Sequence, residues 1–351
     1  MFDKKKINIL KIFLNIKNLE KIQLEISKSK DSNKIDIDIE SINFFRKEAF
    51  EKKNNDLYNK IRENIIKKII NKDIPEEYYL YSLKWYKFRN SLFDFLNQII
   101  KNENIENLKN KEVKYKSINC KIKGGRKYNY DFDIIYYFEN NIEIIKKVEF
   151  KFGSLNVEDC PQFISLSSNF NNIHTKYASY FYDNYLKYVS NLYDNQIEIT
   201  KSEYLKHVHQ ASYKKHKWFD YLYEKENLNK LIVDNKDLEK KKQIVDKSIN
   251  DYLELIRGDI NLEEITEKFI NTQDNKIYMC YDTNLETFNY DFIHNNELTI
   301  TNIKELKKNK DGLYNTIICN TKSTTEIHML LRWKNHSGIL NPAWQISIKR
   351  K

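Results

Sequence analysis

Two aspartates and a Glu-x-Lys triplet stand close together in the segment Tyr128–Gly153, which reads YNYDFDIIYYF, then ENN, then IEIIKKVEFKFG. Along a β-strand, successive side chains face opposite sides. The even positions Tyr128, Tyr130, Phe132, Ile134, Tyr136 and Phe138 then share a face with Ile144, Val148, Phe150 and Phe152. That face is apolar apart from Lys146 and belongs against a core. The odd positions include Asn129, Asp131, Asp133, Lys147, Glu149 and Lys151. If ENN closes a hairpin, cross-strand partners sum to roughly 280–282. Asp131 and Asp133 then lie beside Glu149 and Lys151, and a one-residue slip would undo the arrangement.

Two carboxylates and a lysine on neighbouring strands suit the hydrolysis of a phosphodiester. A hard divalent cation, Mg²⁺ or Mn²⁺, takes oxygen ligands. Asp133, Glu149 and the backbone carbonyl of Phe150 can supply them, with Asp131 as the alternative acid. Such an ion polarises the phosphate and lowers the pKa of its bound water. Lys151, two residues after Glu149, projects from the same face and can orient that water or offset developing charge. A charged outer face is also what an ordinary half-buried hairpin shows. The charges here are embedded in strongly apolar strands, however, and Gly153 ends the second strand where a backbone can approach a phosphate.

Other elements must carry this hairpin. Residues 1–40 alternate apolar and polar positions (IQLEIS, KIDIDIE), which predicts one or two strands. From Ser41 to about residue 110 the apolar spacing becomes three and four, predicting helices over NNDLYNKIRENIIKKIINK and LYSLKWYKFRNSLFDFLNQIIKN, with Ile74-Pro75 between them. Residues 111–153 are rich in β-formers. A Tyr-rich helical stretch follows Pro161 as far as about Phe269. From Lys276 onward the text returns to strands: KIYMCYD, TFNYDFI, ELTITNI, TIICNT, EIHMLLRW and AWQISIK, the last two flanking the loop KNHSG. The expected organisation is residues 1–110 as N-terminal strands and helices, 111–275 as the core with its helical extension, and 276–351 as a β-rich C-terminal region. The fold class is α+β or α/β.

Hydrophobic residues make up 40% of the 351 residues, enough to build a core and to exclude wholesale disorder. The net charge of +10 arises from 60 basic and 50 acidic residues. Abundant Lys, Asn, Ile, Tyr and Phe are what AT-rich codons encode, so the charge permits a nucleic-acid partner without arguing for one. Cys120, Cys160, Cys280 and Cys319 stand far apart, with no CxxC pair to suggest a zinc ribbon. Lysines interrupt the apolar N-terminal stretch, and nowhere do 18 uncharged apolar residues run together. A soluble, intracellular protein without a membrane span is expected.

Secondary constellations carry less. His207, His209 and His216 share one helical segment but lack a fourth zinc ligand nearby. Lys214, Lys215 and Lys217 beside Trp218 are read as a Lys-rich helix anchored by its tryptophan, with single-strand binding as the alternative. Gly124-Gly125-Arg126-Lys127 is a basic loop leading into the Asp133 strand, where Arg126 and Lys127 could meet a phosphate. Trp333 and Trp344 punctuate the last hairpin as core residues. Neither a GxxxxGK[ST] loop nor a GxSxG elbow occurs.

The aspartate, the hairpin turn and the Glu-x-Lys triplet together resemble the signature of the PD-(D/E)XK nuclease superfamily, over about residues 111–190. The resemblance implies a restriction-endonuclease-like mixed central sheet flanked by helices and a Mg²⁺-dependent cut in DNA. Apolar residues follow the family's aspartate, which favours Asp133 over Asp131; Glu149, Phe150 and Lys151 match the triplet. Phe132 stands where the family often has proline. Many members place a polar residue after the lysine strand, a role Gln162 could fill, and an extra glutamate on the preceding helix, for which Glu63 is available. Restriction enzymes often dimerise, so a homodimer is one expectation, and the β-rich tail could supply its interface or a recognition module. The wider texture, EFKFG…PQF…YFYDNYL, looks like proteins of large DNA viruses, which would place the chain in the cytoplasm or nucleus of a host. The alternative is a catalytically inactive member of the fold that binds nucleic acid or serves a structural role.

Overall fold

The computed structural model describes residues 55–74, 79, 83–102, 115–123, 128–139, 142–160, 162–163, 174–192, 199–209, 235–335 and 340–351. The strands expected in residues 1–40 and the Gly124–Lys127 loop lie outside them. In chain order the elements begin with α1 (Asn55–Ile70), α2 (Leu83–Asn102), β1 (Tyr115–Ile122), β2 (Phe132–Phe138), β3 (Glu143–Phe152) and β4 (Gln162–Phe163). Helices α3 (His174–Asn184), α4 (Leu186–Ser190), α5 (Lys201–His207), α6 (Asn235–Ile256) and α7 (Leu262–Gln273) follow. The chain continues through β5 (Lys276–Asp282), β6 (Thr287–Phe292), α8 (Asn295–Leu298), β7 (Ile300–Lys308), β8 (Tyr314–Thr321), β9 (Glu326–Asn335) and β10 (Leu340–Lys349).

These elements form a mixed α+β protein with one mixed sheet, one antiparallel sheet and helices. They divide into two compact units, Met1–Cys160 with Asn275–Ile293, and Pro161–Asp274 with His294–Lys351. The units cut across the three segments expected from the sequence. KIYMCYD and TFNYDFI, read as the start of a C-terminal β region, are β5 and β6 of the first unit's sheet. The cause is a parallel pairing of β3 with β5. Parallel neighbours need a long crossover, and strand patterning carries no mark of a distant partner.

In the first unit the strand order is β1-β2-β3-β5-β6. The β2–β3 hairpin pairs Phe132 with Val148 and Asp133 with Lys147, so partners sum to 280, within the expected range. The even face of the hairpin is buried as its alternation requires: Phe132, Ile134, Tyr136, Phe138, Val148 and Phe150 join Ile277, Met279 and Tyr281 of β5 in one core. Against that face lie the apolar stripes of α1 (Ile65, Ile66, Ile69, Ile70) and α2 (Leu92, Phe95, Leu96, Ile99), at the three-and-four spacing that makes a helix one-sided. The buried Tyr136 hydroxyl donates to the Leu96 carbonyl at 3.2 Å, linking sheet to helix. At the sheet edge, Asn71 does what a neighbouring strand would do for Cys120. Its Oδ1 accepts the Cys120 N–H at 2.7 Å and its Nδ2 donates to the Cys120 carbonyl at 3.2 Å.

In the second unit the order β4-β10-β9-β8-β7 is antiparallel throughout. The stretch after Pro161 is several helices, not one run. Trp333 and Trp344 are both buried. The Trp333 indole donates to the Tyr177 hydroxyl at 3.2 Å, and Tyr177 shares a 2.9 Å hydrogen bond with Ser248.

Candidate active site

The odd face of β2 and β3 carries the charges. Parallel register sets Glu149 beside Tyr278 and Lys151 beside Cys280 of β5, so Lys276, Tyr278 and Cys280 project to the same side as Glu149 and Lys151. Lys151 forms an ion pair with Glu149 Oε1. On the other oxygen, Oε2, sits the ammonium of Lys276 at 2.6 Å. Only 4% of the Lys276 side chain is exposed, and its Nζ also donates to the Asn129 carbonyl at 3.2 Å. Burial disfavours the charge on Glu149, but Lys151 and Lys276 together outweigh it and hold the carboxyl below its usual range. For Lys151 the same balance works in the opposite sense: burial lowers it, Glu149 more than compensates, and the ammonium is raised. Burial wins at Lys276, whose pKa is lowered despite Glu149.

The two aspartates part company. Asp131, one residue before β2, donates its N–H to the Val148 carbonyl at 3.0 Å and accepts the Phe150 N–H on Oδ2 at 2.8 Å. It is close enough to Glu149, Lys151 and Lys276 to feel their charges. Burial and then Glu149 raise its pKa. Asp133 lies opposite Lys147 and forms an ion pair with Lys123, Nζ to Oδ2 at 2.8 Å, following β1. The acid favoured from the family pattern is thus engaged with Lys123, while Asp131 joins the Glu149 cluster.

A third carboxylate comes from α1. Arg62 lies over the Phe152 ring, 3.5 Å from its centroid, at the end of β3. The next residue, Glu63, is close enough to Asp131 and Lys151 to feel their charges. Burial and then Asp131 push the Glu63 carboxyl up to about 7. Cys160 and Cys280 are buried beside Lys151; hydrogen bonding to Cys280 draws the Cys160 thiol down, while the same contact raises Cys280.

The backbone of Gln162 lies in β4, paired with Ile346, in the second unit. Arg126, Lys127, His216, Lys214, Lys215, Lys217 and Trp218 lie outside the described residues. His207 is buried and His209 is lowered to about 4 by burial, both in the second unit. Sequence reasoning missed Lys276 and Lys123, and named Glu63 without a feature to single it out. The alternation of KIYMCYD puts Lys276 with Tyr278 and Cys280, but nothing in it names β3 as the neighbour.

Among the described residues, no group of three or more His, Cys, Asp and Glu side chains is arranged about one point as metal ligands. A hard divalent ion takes oxygen ligands. Glu63, Asp131 and Glu149 supply carboxylate oxygens; burial, and after it repulsion from a neighbouring acid, raises the pKa values of Glu63 and Asp131. No helix among the described residues is long and apolar enough to cross a membrane. No protein family matches the chain, and no curated protein matches it.

Proposed function

We propose that the first unit is a nuclease of the PD-(D/E)XK type, with a restriction-endonuclease-like sheet, that hydrolyses DNA phosphodiesters with the help of Mg²⁺ or Mn²⁺. The observation that carries this reading is the convergence of Asp131, Glu149 and Lys151 on one face of a mixed sheet whose other face is packed by helices. Asp131 and Glu149, with the Phe150 carbonyl, are the residues that would hold the cation. When bound, such an ion polarises the phosphate and acidifies a water.

The chain's own groups do the rest. Lys151, kept protonated by Glu149, can direct the attacking water and offset negative charge gathering on the phosphoryl oxygens. Glu63, ionising at about 7, is tuned to accept a proton from that water at neutral pH. Strand-borne groups keep their geometry better than loop-borne ones. The Lys123 pair leaves Asp133 a supporting part.

The test is cleavage of supercoiled and linear DNA by the full chain in Mg²⁺ and Mn²⁺. Lys151→Met, Glu149→Gln and Asp131→Asn should each lose at least about 100-fold in rate, whereas Asp133→Asn should stay within about tenfold. Asparagine at 131 can still accept the Phe150 N–H, so the fold is expected to survive. Undiminished cutting by Lys151→Met would defeat the assignment. A second reading, an inactive member of the fold, draws support from the two ammonium groups that already occupy both oxygens of Glu149. Retention of DNA without cleavage in either ion, across several substrates, would favour it.

A further inference from the structure

Each carboxylate oxygen of Glu149 carries its own ammonium partner. Lys151 already pairs with Oε1. Lys276 adds a second ammonium on Oε2 at 2.6 Å, and it is fixed from three directions. The Asn129 carbonyl accepts from it at 3.2 Å, and the Tyr278 ring centroid lies 5.0 Å from its Nζ. With 4% of its side chain exposed, it has little freedom to swing into solvent. Burying a cation this deeply is unfavourable unless partners compensate. The residue is also outside the Asp and Glu-x-Lys pattern, and reaches the site from a strand 127 positions away in sequence.

We infer that Lys276 is a positioning residue that acts through Glu149: its charge weakens the grip of that carboxylate on a divalent cation by more than its hydrogen bond helps in fixing the side chain. The inference rests on the nuclease reading above, since it assigns Glu149 as a ligand. A cation taken by Glu149 shares that carboxylate with two ammonium groups. Like charges repel strongly where water is excluded. The site is therefore built for an exchangeable ion, one that enters with substrate phosphates adding negative charge, and not for a permanently held structural metal. A purely structural lysine would behave differently: its loss would loosen Glu149 and weaken ion binding.

The experiment is calorimetric titration of Mn²⁺, and separately Mg²⁺, into the full-length chain without DNA. Lys276→Gln retains a hydrogen-bond donor without the charge, Lys276→Met removes both, and Lys276→Arg keeps the charge. Thermal melts confirm that each variant is folded, and Lys276→Gln serves where Lys276→Met is not. The Gln and Met variants should bind Mn²⁺ at least about tenfold more tightly than the parent, with Lys276→Arg close to it. Adding Glu149→Gln to either should abolish the gain. If Glu149→Gln weakens binding in the parent but Lys276→Gln leaves it unchanged or weaker, this inference fails and the cation site stands. If Glu149→Gln binds like the parent, or no variant binds either ion, the cation-site reading fails and takes this inference with it.

Discussion

Glu63 is the residue whose environment departs furthest from what its place on a lysine-rich helix suggests. Its carboxyl ionises at about 7 in the folded chain, against an ordinary value of 4.5. Between those two values the folded protein holds a proton that the unfolded chain has released. Stability therefore declines as pH rises from about 4.5 to about 7 and is level beyond it. Glu63→Gln removes the penalty. The variant should match the parent at pH 4 and exceed it at pH 8 by on the order of 1–3 kcal/mol, read from urea melts at both pH values. An equal difference at both would show that Glu63 is not the titrating group. Little of this was legible in the chain. The helix IRENIIKKII carries several charges, and burial next to Asp131, a tertiary feature, is what distinguishes Glu63 from the rest.

Among the elements, the β2–β3 hairpin was the most legible because two local signals agreed. Period-two alternation assigns each side chain a face, and the three-residue link restricts the register. Helices α1 and α2 were equally plain from their apolar stripes. The division of labour between Asp131 and Asp133 was not, since parity gives both the same face. What separates them is Lys123, contributed from the end of β1. The edge of β1 is another feature without a sequence signature. Two hydrogen bonds from Asn71 meet Cys120 there. Asn71→Ala leaves the Cys120 N–H and carbonyl unmet and should cost about 1–3 kcal/mol. The variant should also aggregate more readily on heating, because an unblocked edge recruits other strands. Light scattering and a denaturant melt indistinguishable from the parent's would rule out this role.

At the scale of the whole chain, the first unit is discontinuous, and that decides what can be removed. A chain ending at Asp274 lacks β5, β6 and Lys276, so three of the sheet's five strands remain and the edge of β3 opens beside Val148 and Phe150. Such a fragment should show no cooperative unfolding and no protected amides at Ile134 or Cys120 in hydrogen exchange. Native-like protection at those positions would mean that the unit completes itself without its last strands. The sequence pattern pointed to a boundary near residue 275 because helical periodicity ends and alternation begins there. It could not show that the two strands which follow return to the earlier sheet, since side-chain periodicity describes a strand's faces and says nothing of its edges. The same discontinuity shapes how the protein is born. At about 5–20 residues per second, a ribosome takes on the order of ten seconds to travel from Phe152 to Lys276. Throughout that interval β3 has no partner on its outer side, and the acid that anchors the candidate site lacks one of its two lysines. The nascent hairpin is most vulnerable to pairing with its neighbours on a crowded polysome, so yield in the cell should depend on holding chaperones during this window more than on the stability of the finished molecule.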